Sequence, residues 1–217
     1  DWVNENYSEV GYLEIEFLDG THTLASDVFL PPAAGEIYWL CYSNTLGNTT
    51  IDWSLSFRKL YTRSYQSVHF DSLVMNNIGD WTLFGGGIYS CTFSWDDGRR
   101  LNVAANNTAL GVTNGQPFEI GVTGGPTTTL TSRSNGAVED AFIRVANGAQ
   151  LEFNGTVNIN MINEGLGANP VIGLLYADGG AITSDASAVV TVTDITGSPG
   201  TVTGANNQEV SIKKATL

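Results

Sequence analysis

Residues 10–18 alternate along the chain, with Leu13, Ile15 and Phe17 on one side and Tyr12, Glu14 and Glu16 on the other. Period-two alternation of this kind is the signature of a half-buried strand. Asp19-Gly20 closes the run as a turn, and residues 22–30 open a second strand. Pro31-Pro32 breaks that strand, and residues 36–42 follow as a buried aromatic one. In residues 51–60, Ile51, Trp53, Leu55 and Phe57 share a face. Residues 81–84, a backbone hinge or bulge at Gly85-Gly86-Gly87, and residues 88–95 continue the pattern. Asp96-Asp97-Gly98 then predicts a hairpin before residues 101–104. Only residues 66–75 and 136–147 have helical character, and neither sustains a 3.6-residue period.

Strands at this spacing with turn chemistry between them predict an all-β fold with very little helix, an antiparallel β-sandwich of jelly-roll or Ig-like type. All five Trp lie before residue 100, and beyond it the aromatics are Phe118, Phe142, Phe153 and Tyr176. The later half is built from Val, Ile, Ala, Thr, Gly and Asn. Residues 122–136 have the Gly, Pro, Ser and Thr content of a long loop or linker. The expectation is two β domains, an aromatic-rich one at 1–122 and a Gly/Thr/Val/Ala-rich one at 123–217. A single large two-sheet sandwich is the alternative.

Charge narrows the function classes. In these 217 residues, 22 acids stand against nine Lys and Arg, for a net charge of −13. Nucleic-acid binding needs clustered cations to displace counterions from phosphates, and no basic stripe can be assembled from so few. No apolar run is long enough to span a bilayer, so no membrane insertion is expected. The aromatic and β-branched content excludes an acidic disordered tail.

Candidate chemistry is sparse. Cys41 and Cys91, both in apolar strand-like runs, are candidates for one disulfide in an oxidising setting, or for two buried thiols. Asp96, Asp97 and Asp178, in Gly-containing turns, are weak calcium candidates, because hard cations take several oxygens from a tight loop. Neither stretch continues as a full calcium loop, so no cofactor is expected. Asn6, Asn48, Asn106 and Asn154 fit the N-glycosylation pattern. His22 and His69 have no second metal ligand near them in sequence and read as surface or turn residues. Trp2 and Trp95, at a chain end and a turn, are candidate glycan-stacking or interface aromatics.

Leu13-Glu14-Ile15-Glu16-Phe17-Leu18-Asp19-Gly20 resembles the catalytic strand of laminarinase- and lichenase-type jelly-roll glycosidases. The resemblance implies a middle acid at Glu14 and a general acid at Glu16. Tyr12 stands where the nucleophile belongs, so no catalytic site is expected. Residues 30–40 (L-P-P-A-A-G-E-I-Y-W-L) and 177–192 (A-D-G-G-A-I-T-S-D-A-S-A-V-V-T-V) resemble stretches of phage virion-associated β-sandwich proteins of decoration or fibre type. That resemblance covers roughly 30 residues and implies a structural role.

An acidic, all-β chain without a reactive constellation, surfaced by Thr, Asn, Ser and Gly, suits packing against copies of itself. The expected function is a non-enzymatic structural subunit, extracellular or in a virion, with a virion protein slightly ahead of an extracellular filament. Its partners would be its own copies and other structural subunits. A secreted carbohydrate-binding or adhesin module, taking a cell-surface glycan, is the alternative.

Overall fold

In the computed structural model every paired strand runs parallel to its neighbour, and each strand pairs with the one three elements further along the chain. The structure describes residues 11–29, 37–54, 59–62, 66–96, 98–105, 117–134, 141–163, 173–177 and 179–196. Within them the chain winds through three sheets in fixed rotation. The first coil is β1 (Gly11–Glu16), β2 (Gly20–Thr23) and β3 (Val28–Phe29); the second is β4 (Ile37–Tyr42), β5 (Thr49–Asp52) and β6 (Leu60–Tyr61). Then come β7 (Gln66–Asp71), β8 (Val74–Ile78) and β9 (Trp81–Leu83), followed by β10 (Gly86–Tyr89), β11 (Thr92–Trp95) and β12 (Leu101–Val103). The fifth coil is β13 (Phe118–Ile120), β14 (Thr128–Ser134) and β15 (Ala141–Val145), and the sixth β16 (Gln150–Phe153), β17 (Thr156–Asn163) and β18 (Gly173–Ala177). β19 (Ala181–Ser184) and β20 (Val189–Thr196) begin a seventh. Sheet A is β1-β4-β7-β10-β13-β16-β19, sheet B is β2-β5-β8-β11-β14-β17-β20, and sheet C is β3-β6-β9-β12-β15-β18. The architecture is a three-sided parallel β-helix.

This overturns the antiparallel sandwich expected from the sequence, while the all-β character stands. The physical reason is that alternation and turn residues specify a strand and a change of direction, not the partner to which the strand returns. Asp19-Gly20 joins β1 in sheet A to β2 in sheet B, and the chain passes from β11 in sheet B to β12 in sheet C. Both are corners, not hairpins. Parallel strands require a crossover of a dozen or more residues, and here the other two sides of the coil supply it. The two segments with helical character instead hold β7 with the start of β8, and β15. All three sheets run across residue 122 without interruption, and buried residues on both sides of it belong to one core.

Inward positions fill that core. Trp81 of β9, fully buried, is its hub: it stacks on Phe70 of β7 at 5.1 Å between ring centroids. It also meets Trp53, Phe93 and Trp95 edge-on at 5.3, 5.6 and 5.4 Å. Rings from sheet A, from sheet B and from the residue after β5 therefore converge on one indole of sheet C, three of them in the edge-to-face geometry that the aromatic quadrupole favours. The corner from sheet A to sheet B turns on single residues with positive φ, Ser72 (58°) and Ser90 (54°). The next residue, Leu73 or Cys91, then drops fully into the core.

Candidate functional site

Parallel in-register stacking lines up equivalent outward positions of successive coils at about 4.8 Å intervals. On sheet A one such row reads Glu14, Leu40, His69, Gly87, Glu119, Glu152 and Thr183. A second holds Glu16, Tyr42, Asp71 and Tyr89. None of the described Lys or Arg residues lies in a strand of sheet A. This face gathers five carboxylates and one histidine.

At its centre the side chains are tied together. Tyr89 lies over Gly87: a β-carbon there would fall 2.6 Å from Tyr89 Cζ and Oη. The phenol is thereby laid along its own strand, with its hydroxyl between the two neighbouring ones. Tyr89 Oη donates to Glu119 Oε2 at 2.6 Å, and His69 Nδ1 lies 3.1 Å from the same oxygen. The His69 and Tyr89 rings are 5.5 Å apart and tilted by 31°. Burial lowers the His69 pKa from 6.5 to about 4, so the ring is neutral near pH 7. Glu152, beside Glu119 in register, is raised by burial and then by the Glu119 and Asp185 carboxylates. Thr123 and the backbone N–H of Ser187 donate to Asp185 and lower its pKa. At the edge strand, Asn44 Nδ2 donates to Glu16, and partial burial with Glu16 and Glu14 raises the Tyr42 hydroxyl.

Sheet B presents a different face. One outward row is Thr21, Thr50, Val74, Thr92, Thr129, Asn158 and Thr191. A parallel row runs Ser94, Thr131, Asn160 and Thr193, with Asn160 Nδ2 donating to Thr131 at 3.5 Å. Three charged groups near these rows are engaged. Asp52 accepts from Ser54 N and Asn77 Nδ2, both at 2.9 Å, and Arg133 faces Asp96 at 3.5 Å.

The residues expected from sequence are dispersed. Trp95 is fully buried and cannot offer a glycan-stacking or surface ring, because alternation within β11 turns Phe93 and Trp95 inward together. Cys41 and Cys91 are buried free thiols. They belong to coils separated by β7, and Cys41 is in register with Phe70 and, two strands on, Ile88. Two strand spacings are about 9.6 Å, beyond the roughly 7 Å that a disulfide spans. Burial raises the Cys41 thiol to about 12, and Cys91 is raised for the same reason. Asp96 faces the Arg133 guanidinium, and no three His, Cys, Asp or Glu residues converge as a metal site among the described residues. Asn48 lies in an exposed turn, donating to Asp19, and Asn154 follows β16. Trp2, Asn6, Asp97, Asn106 and Asp178 lie outside the described residues.

Gly85-Gly86-Gly87, expected to be a hinge or bulge, leads into β10 itself. Gly86, at φ 113°, is required because a β-carbon there would meet Val68 O at 1.9 Å. The His69–Tyr89–Glu119 cluster was not foreseen. Its members are 20 and 30 residues apart, and only the coil length brings them together. No helix among the described residues is long and apolar enough to cross a membrane. Comparison with protein-family models, curated proteins and solved structures gave no match.

Proposed function

We propose that the chain is a non-enzymatic structural element of an extracellular assembly, a virion spike or fibre ahead of a cellular filament, and that it packs against its own copies through the outer face of sheet B. The observation that carries this reading is the segregation of charge. The molecule bears −13, yet from β11 to β20 the two sheet B rows are hydroxyls and amides throughout. Two acidic copies repel wherever their carboxylates meet, and burying a charge costs far more than burying a hydroxyl that finds a partner across the interface. Thr and Asn rows held in register by parallel strands can exchange such hydrogen bonds over several coils at once. A β-helix, whose pairing axis is its long axis, also suits a rod better than a closed shell.

Light scattering with negative-stain imaging of the purified chain tests this. Multimers or rods are expected, and Thr129→Lys combined with Asn160→Lys converts them to monomers by placing like charges across the contact. A stable monomer at high concentration overturns the reading.

A further inference from the structure

The geometry points to a glycan-binding subsite on the outer face of sheet A, centred on Tyr89 and bounded by His69, Glu119 and Glu152, with an uncharged, hydroxyl-rich saccharide chain as its ligand. It does not depend on the assembly reading, which concerns sheet B.

The inference begins with the way Tyr89 is held. Because Gly87 has no side chain, the phenol occupies the space where one would stand and lies along the sheet. A tyrosine in this pose is half-buried with its ring flat on the outer face of the sheet, and the ring is pinned at its far end by the 2.6 Å hydrogen bond to Glu119. The neighbouring His69 ring, tilted by 31° from the phenol, extends the platform toward β7. The electron-rich face of an aromatic ring attracts weakly positive C–H groups, which a pyranose displays on its less substituted face. Fixing the ring beforehand removes the ordering cost that a mobile side chain would add on binding.

The rim supplies the polar half of the recognition. Glu119 and Glu152 stand directly opposite each other on adjacent strands, and Thr183 continues their row. A carboxylate accepts hydrogen bonds at two oxygens and suits adjacent sugar hydroxyls. Coils advance by about 4.8 Å, close to the length of one sugar unit in an extended chain, so consecutive residues of a linear glycan meet consecutive strands. The charge of the face selects the ligand. No described Lys or Arg lies in a sheet A strand and His69 is neutral, so uronic-acid and sulfated glycans are repelled. The mixture of hydroxyl-accepting carboxylates with a flat ring favours a saccharide over a lipid.

The test uses the full chain against immobilised neutral oligosaccharides of glucan, mannan and galactan type. Chitosan and polygalacturonate oligosaccharides serve as cationic and anionic arms. Binding to at least one neutral oligosaccharide is expected, with titration calorimetry giving a loss of about tenfold or more for Tyr89→Ala. Tyr89→Phe, which keeps the ring and releases Glu119, loses less than Tyr89→Ala. Thr82→Ala on sheet C, outside both surfaces, leaves binding unchanged, and far-UV circular dichroism shows that each variant folds. Binding to no neutral glycan, binding to the charged arms alone, or neutral-glycan binding that both Tyr89→Ala and Glu119→Gln leave intact overturns the inference.

Discussion

His69 is the residue at which burial and hydrogen bonding meet most directly. Its ring lies over sheet A beside Tyr89, and desolvation lowers its pKa from 6.5 to about 4. Between these values the unfolded chain takes up a proton that the folded ring refuses. Its contribution to stability is therefore complete above pH 6.5 and is lost as the pH falls from 6.5 toward 4. The full shift corresponds to about 3 kcal/mol, and solvent at the exposed part of the ring screens it to about 1–2 kcal/mol. Glu152 acts in the opposite sense, since a carboxyl raised by partial burial favours the folded state on the acid side. Urea denaturation at pH 7.0, 6.0 and 5.0 should show a falling midpoint that His69→Gln flattens. An equally steep fall in the variant would place the proton uptake elsewhere. Nothing local in the sequence marks this histidine. Ser67-Val68-His69-Phe70 reads simply as an alternating strand, and the hydrogen-bond partner Tyr89 arrives from β10, 20 residues away.

At the scale of the element, strand alternation was legible and strand pairing was not. Leu13, Ile15, Trp39, Ile51 and Trp53 point inward as their period predicts, and Glu14 and Glu16 point outward. The direction of pairing depends on where the chain goes after each corner, and hairpin and corner use the same Gly, Asp and Ser residues. The corners nevertheless carry a constraint that only the stacked structure explains. Gly121, at φ 85°, closes β13 where a β-carbon would lie 2.0 Å from Asn154 O of the coil above. Gly124, at φ 76°, has open space around the same position. Gly121→Ala therefore combines left-handed backbone strain with a backbone collision, and Gly124→Ala carries the strain alone. Expected losses are about 3 kcal/mol or more for the first and about 1 kcal/mol for the second, read from denaturation midpoints. Equal losses would mean that the coils separate readily at this corner.

Across the whole molecule, stability is set by how many neighbours each coil has. In a solenoid each repeat contacts only the coils beside it, so interior coils hold two interfaces and terminal ones hold a single interface. The burial record follows this rule. Leu73, Ile78, Ile88, Phe93, Leu101, Ile120 and Leu130 in the middle coils are fully buried. Leu13 and Ile15 in β1, and Ile182, Val190 and Val192 in the last described coil, are only partly covered although they point the same way. The aromatic cluster around Trp81 adds to the imbalance, since it joins three sheets near the centre of the stack and nowhere else among the described residues. The aromatic first half and the Val- and Thr-rich second half thus mark different parts of one graded core. Hydrogen exchange read by mass spectrometry should accordingly show the slowest amides in β7 to β14. Those of β1, β2, β19 and β20 should exchange on the order of 100-fold faster. Uniform protection along the rod would instead show that its terminal coils are covered, and the contact that covers them would join the sheet B face as a surface through which copies of the chain meet.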